Sequence, residues 1–165
     1  MGGKSPFLLE AEDRMTDIVD PLTRSRMMSG IRSGNTKPER LVRTSLHALG
    51  FRYRVHDRRI PGCPDLVFPK HHAVLFVHGC FWHGHNCLLF RLPGTRPEFW
   101  EKKIRRNRER DAEVREELGK KGWRTGIVWE CALKGKNRIG IEETVKRIIL
   151  WLESETMDQE IRGAA

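Results

Sequence analysis

The chain contains no apolar run approaching the roughly 20 residues needed to span a bilayer. Its amino end also lacks the apolar core of a secretory signal, so no membrane partner is expected and the cytoplasm, around the nucleoid, is the expected compartment. Internal repeats and low-complexity segments are absent, which for 165 residues leaves one domain with a real core. Cysteine is sparse, with only Cys63, Cys80, Cys87 and Cys131, and in a reducing compartment this argues against a disulfide framework. Acidic charge is short as well. The 22 Asp and Glu face 31 Lys and Arg, and the resulting +9 suits a polyanionic partner such as nucleic acid.

Against these absences one stretch is crowded. His78-Gly79-Cys80-Phe81-Trp82-His83-Gly84-His85-Asn86-Cys87 holds several groups able to bind metal beside two large aromatics. The chain is arranged around it. Residues 1–19 are expected to be a flexible extension, residues 20–155 a single domain, and residues 156–165 a frayed tail. Asp20-Pro21 suits the start of a helix carrying Met27 and Met28. Thr36-Lys37-Pro38-Glu39 fits a capping box, which by itself explains Glu39, and Val42, Leu46 and Leu49 then recur at helical spacing up to Gly50. Residues 51–55 alternate apolar with basic, Asp65 to Phe68 is a short strand, and residues 73–77 form a continuous apolar run expected of a central strand. That run delivers the chain into the crowded stretch.

Thr95 is expected to cap a long helix running to about Leu118. Along it Trp100, Ile104, Asn107, Asp111, Val114 and Leu118 share one face, so two polar residues interrupt an apolar stripe. A further buried strand ends at Trp129, Glu130 and Cys131, and an amphipathic helix presents Val145, Ile148, Ile149 and Leu152. The order of elements predicts an α/β fold with a central mixed sheet flanked by helices.

Cys80, His85 and Cys87 with the distant Cys131 make a complete tetrahedral Zn²⁺ set, and a closed set is structural because it leaves no open position. His78 and His83 are surplus to it. Asp65 at a strand end, near a second strand end bearing His78, can hold Mg²⁺ and place a water for phosphodiester attack. An inward Asp111 needs a partner, either a histidine or an arginine such as Arg52 or Arg54. His83 is then free to act as a base or acid. Phe81 and Trp82 admit two readings, a small core over the metal loop or a wedge between base pairs.

At this point the chain resembles the very short patch repair (Vsr) endonucleases. The likeness runs from about Asp20 to Leu152 and rests on Ile60-Pro61-Gly62-Cys63-Pro64-Asp65, Phe76-Val77-His78-Gly79-Cys80-Phe81-Trp82-His83, Thr95-Arg96-Pro97-Glu98-Phe99-Trp100 and Val128-Trp129-Glu130-Cys131-Ala132-Leu133. The resemblance implies a restriction-endonuclease-like fold with a structural zinc site and a strand-specific nick 5′ of the thymine in a T·G mismatch, the product of 5-methylcytosine deamination. It implies Asp65 and the main-chain carbonyl of Val77 as Mg²⁺ ligands, and His83 as catalytic histidine oriented by Asp111. Glu39 and His78 complete the reaction centre, and Zn²⁺ falls on Cys80, His85, Cys87 and Cys131. Met28, Phe81 and Trp82 match the family's DNA-intercalating wedge. The implied partners are duplex DNA with a T·G mismatch, mismatch-repair proteins and a repair polymerase, acting on a monomeric enzyme. Val77 stands where threonine is usual and Cys63 where arginine is, and the histidine run His83-Gly84-His85-Asn86 is thinner than usual.

Overall fold

Three largely apolar segments build the centre of the sheet, and a computed structural model describes residues 20, 22, 23, 25, 26 and 34–164. The strands are β1 (Arg54–Val55), β2 (Leu66–Phe68), β3 (Ala73–His78), β4 (Arg124–Trp129) and β5 (Asp158–Ile161), and they lie side by side in chain order. β1, β2 and β3 pair antiparallel, whereas β3, β4 and β5 pair parallel, so the sheet is mixed. A parallel pair needs a crossover. Helix α2 (Pro97–Lys120) supplies it between β3 and β4, and α4 (Ile141–Glu153) follows the short α3 (Glu130–Leu133) before β5. Helix α1 (Lys37–Ala48) precedes the sheet.

Alternation along the strands assigns the two faces. Leu66 and Phe68 of β2 with Leu75 of β3 join Val42 and Leu46 of α1 and Ile148, Trp151 and Leu152 of α4 in the larger core. The intervening Val67 and Val74 point the other way, onto Leu118 and Val114 of α2. Each fully buried Leu, Val or Phe contributes about 1.5–3 kcal/mol, so β2 and β3 are held from both sides. Gly126 in β4 is fixed by the same packing: a Cβ there would lie 2.8 Å from both Leu75 and Trp151.

Several expectations need correction. The α2 N-cap is Arg96 in a left-handed conformation, with no side-chain cap, rather than Thr95. The strand expected over residues 51–55 pairs only at Arg54–Val55; Phe51 and Tyr53 instead pack against the core, and the Tyr53 hydroxyl donates to the Arg43 carbonyl of α1 at 2.6 Å. The tail expected to fray instead forms β5. Its Ile161 is buried, Thr125 pairs with Asp158, and the Arg115 guanidinium donates to Glu160 at 2.8 Å. At the other end the Asp20 carboxylate accepts the Leu22 and Thr23 N–H groups at 2.9 Å, as a cap should. Residues 1–19 and Met28 lie outside the described residues. Among the described residues no helix is long and apolar enough to cross a membrane.

Candidate active site and metal centre

The parallel register of β3 and β4 sets up the first cluster. His78 pairs with Trp129, so both strands leave the sheet at the same edge, and Cys80 and Cys131 each sit two residues beyond that pair. Cys80 is fully buried and Cys131 nearly so. His85 returns to them, its Nδ1 3.7 Å from Cys80 Sγ and 3.6 Å from Cys131 Sγ, with its ring stacked on Trp129 at 4.1 Å. Cys87 completes four donor atoms that all lie within 4.8 Å of one another. The Cys131 N–H donates to Cys80 Sγ, and the Gly163 N–H, beyond β5, donates to Cys131 Sγ, both at 3.3 Å. Burial pushes the Cys80 and Cys131 thiols above their ordinary range and lowers His85. Burial thus favours neutral thiols in the metal-free protein, and the four donors together form a cluster that could hold a metal ion.

The other two histidines of this stretch, His78 at the end of β3 and His83, form a second cluster with Asp111. His83 Nδ1 lies 2.5 Å from Asp111 Oδ2, which answers what the inward carboxylate of α2 meets: a histidine and not Arg52 or Arg54. A carboxylate on Nδ1 holds the proton there and leaves Nε2 to exchange one with a substrate or water. The His78 ring stacks on that of His83 at 3.7 Å and 4°. His78 is buried with no hydrogen-bond partner at Nδ1, and burial, followed by the neighbouring His83, drives its pKa down to about 3. It is therefore neutral at physiological pH and offers His83 a rigid uncharged platform. The second polar residue of the α2 stripe has a different task. Asn107 donates to the Trp82 carbonyl at 2.8 Å and so ties the loop to the helix. Gly84 (φ +59°) lets it approach, since a Cβ would stand 2.6 Å from Ile104.

The third cluster contains a residue that sequence reasoning missed. Glu39 caps α1 as expected, its carboxylate accepting from Thr36 Oγ1 at 2.9 Å and from the Asn35 N–H at 2.7 Å. Its Oε2 also lies 3.3 Å from His56 Nε2, which in turn is 3.5 Å from Asp65 Oδ1. The other Asp65 oxygen accepts the Val77 N–H at 2.7 Å. Burial pushes the Asp65 pKa up to about 6; the Glu39 charge adds to this, whereas the Val77 N–H and His56 oppose it. A carboxyl in that state is readily ionised by an approaching cation. No sequence signal marks His56, a lone histidine in a loop.

The second and third clusters border adjoining clefts. One of about 490 Å³ is lined by Glu39, Val77, His78, Trp82, His83 and Asp111, with the cations Lys103 and Arg110 on its wall. The next, about 320 Å³, shares the histidines and Asp111 and reaches Asp65 and Cys63. The three thiols of the metal centre line neither. At the mouth, half-buried Phe81, Trp82 and Trp100 pack edge to face at 5.1–6.0 Å, with Lys103 Nζ 5.1 Å from the Trp82 ring. Outward-facing Lys102, Arg105, Arg106 and Arg108 continue the positive surface along α2.

Comparison with known proteins agrees with this geometry. The family model described as DNA mismatch endonuclease Vsr matches residues 16–89. The chain is 49% identical over 119 residues to the type II nicking enzyme V.XorIIP of Xanthomonas oryzae, covering 72% of this chain and 88% of that one. It is 42% identical over 147 residues to the DNA mismatch endonuclease Vsr of Escherichia coli, covering 89% and 94%. A third relative, the nicking enzyme V.NmeAIP of Neisseria meningitidis, is 48% identical over 122 residues, covering 74% and 87%. With 42% identity over nearly the full length of the Escherichia coli protein, the chain belongs to the Vsr family of DNA mismatch endonucleases.

Proposed function

We propose that this protein nicks one strand of duplex DNA on the 5′ side of the thymine in a T·G mismatch and thereby starts short-patch repair. The observation that carries this reading is the His83–Asp111 pair, stacked on a neutral His78 and sharing a cleft with Asp65. Binding alone needs neither an oriented proton-transfer group nor a buried carboxyl poised to ionise. The mixed sheet with Asp65 at the start of β2 supports a restriction-endonuclease-like fold, and the basic surface of α2 supports duplex DNA as the ligand. Monomeric action, and onward handling by mismatch-repair proteins and a polymerase, belong to the same proposal.

The donor sets fit the implied metals. In a tetrahedral Zn²⁺ site, bonds of about 2.3 Å to sulfur and 2.0–2.1 Å to nitrogen put the two ligands about 3.6 Å apart. The separations from His85 Nδ1 to the thiols are 3.6 and 3.7 Å. Cys80, His85, Cys87 and Cys131 would hold Zn²⁺ in a closed, structural role. Asp65 Oδ1, with Oδ2 engaged by the Val77 N–H, is an anchored oxygen suited to Mg²⁺, with the Val77 carbonyl as a second ligand. When bound there, Mg²⁺ supplies Lewis-acid stabilisation of the phosphate and of the departing 3′ oxygen.

The chain's own residues do the rest. His83, held by Asp111 in one tautomer, takes the proton of the attacking water at Nε2. His78 keeps that ring from rotating away without adding charge. Glu39 fixes α1 against the cleft. Lys103 and Arg110 meet the phosphates, and Phe81 and Trp82, with Met28, enter the base stack beside the mismatch at a cost of a few kcal/mol. End-labelled duplexes containing T·G, other mismatches or none, incubated with Mg²⁺ and mapped on a sequencing gel, test the reading. The expected product is a single nick 5′ of the mismatched thymine. Equal cutting of all duplexes would refute the specificity, and no cutting of any would refute the activity.

A further inference from the structure

Among the described residues, three groups of metal-ligating side chains occur, and the proposed function uses two of them fully. The remaining one, Glu39 with His56 and Asp65, has its three ligand atoms within 4.8 Å of one another. Its position follows from the sheet. The antiparallel register Val55↔Leu66 brings the next residues along, His56 and Asp65, alongside each other at the end of the β1–β2 ladder. Helix α1 adds Glu39 from the other side. His56 stands with Nε2 between the two carboxylates, 3.3 Å from one and 3.5 Å from the other.

Those separations resemble ligand–ligand edges more than optimal hydrogen bonds. A six-coordinate ion with bonds of about 2.1 Å has edges of about 3.0 Å between adjacent ligands. A contraction of a few tenths of an ångström converts this cluster into one face of such a site. One oxygen of Asp65 is already tied to the Val77 N–H, which leaves Oδ1, the atom nearer His56, for the ion. The ring is 30% exposed, so an ion between the three groups retains room for water and for a phosphate oxygen.

We infer that His56 is a nitrogen ligand of the divalent ion anchored by Asp65, with Glu39 as an added oxygen ligand, and that the imidazole makes this site prefer Mn²⁺ over Mg²⁺. The reason is ligand type. Imidazole suits transition metals, whereas Mg²⁺ selects oxygen and releases its water reluctantly. The inference rests on the reading of Asp65 as the anchor of the divalent ion. It goes beyond that reading in naming two further ligands, Glu39 and His56, and a metal preference.

The test uses the full chain without DNA. Mn²⁺ is titrated into wild-type protein and into His56→Gln, and pulsed EPR reads nitrogen coupling to the bound ion, with ¹⁵N-histidine labelling to identify the source. Expected is a histidine ¹⁴N coupling in the wild type that converts on labelling and vanishes in His56→Gln. The Mn²⁺/Mg²⁺ affinity ratio should fall at least about tenfold, since loss of even an outer partner of a metal ligand costs 10–100-fold. His56→Asn, with circular dichroism on both variants, guards against a folding defect. Wild type that binds Mn²⁺ without histidine coupling, coupling that survives in both variants, or no Mn²⁺ binding at all would overturn the inference. Because no nicking is read, failure of the T·G proposal leaves this result standing, and nicking with Mg²⁺ does not rescue it.

Discussion

Two regions fed by the same ten-residue loop behave in opposite ways. The Cys80–His85–Cys87–Cys131 centre is closed: its donors are complete, two of its thiols are buried, and backbone N–H groups from β4's end and from the tail cap the sulfurs. The centre around Asp65, His83 and Asp111 is open, with side chains 18–30% exposed to adjoining clefts. Cys80, His85 and Cys87 serve one centre, and His78 and His83 the other. A closed centre stores folding energy; an open one gives up stability for reactivity, as a carboxyl pushed to about 6 by burial illustrates. Substitutions in the two regions should therefore separate folding from activity.

The largest effect is expected from the closed side. Cys131→Ala removes one ligand of the proposed metal centre and the thiol that meets His85 Nδ1 and the Gly163 N–H, and should lower the melting temperature by at least about 10 °C with loss of bound metal. Thermal unfolding monitored by circular dichroism, with metal analysis of the purified protein, checks it. A variant that keeps both its metal and its melting temperature would erase the distinction between the regions.

Next comes the open side. Asp111→Asn leaves a hydrogen-bonding group next to His83 but no longer holds the charge or the tautomer, so single-turnover nicking should fall about 10²–10⁴-fold with mismatch affinity unchanged. Parallel gel-shift and nicking assays read the two quantities. A drop in affinity matching the drop in rate would instead make Asp111 a binding residue.

The smallest effect sharpens the boundary between them. Asn107→Ala removes one bond to the Trp82 carbonyl, worth about 0.5–1.5 kcal/mol, at the point where the loop divides. Nicking should weaken by no more than about tenfold and the metal centre should be unaffected, as metal analysis and rate measurement together would show.

The sequence makes parts of this plan legible for identifiable reasons. The density of cysteine and histidine named the Cys80–His85–Cys87–Cys131 cluster because metal ligation would be a largely local code, with Cys131 found at the end of a strand read as buried. His83–Asp111 was readable because a polar residue on an apolar helical stripe must find a partner. His56 was not readable, since its proximity to Asp65 exists only through a two-residue antiparallel register, too short to leave a periodic trace. β5 was missed for a similar reason: Asp158-Gln159-Glu160-Ile161 carries one buried apolar residue, and its pairing with β4 and the Arg115 contact supply what its own pattern lacks. The proposed wedge rests on the resemblance alone, because Phe81 and Trp82 pack among other aromatics in the free protein, as a small core would.

Asp65 provides the most direct test of the division. In metal-free protein its pKa stands near 6, above the ordinary 3.8, so the folded state holds the proton more firmly than the unfolded state does. Its contribution is then favourable below about pH 4 and is lost as pH rises through 6, leaving an ionised, buried carboxylate at neutral pH that costs up to about 3 kcal/mol. Asp65→Asn removes that cost and the metal anchor at once. The measurement is thermal unfolding of Asp65→Asn and wild type at pH 7.5 without added Mg²⁺ and with the Cys/His centre left loaded, beside T·G nicking with Mg²⁺. An equal or higher melting temperature with nicking reduced at least about a thousandfold, equivalent to about 4 kcal/mol, is the expected result. A variant that nicks at the wild-type rate, or that melts as early as Cys131→Ala, would contradict the account.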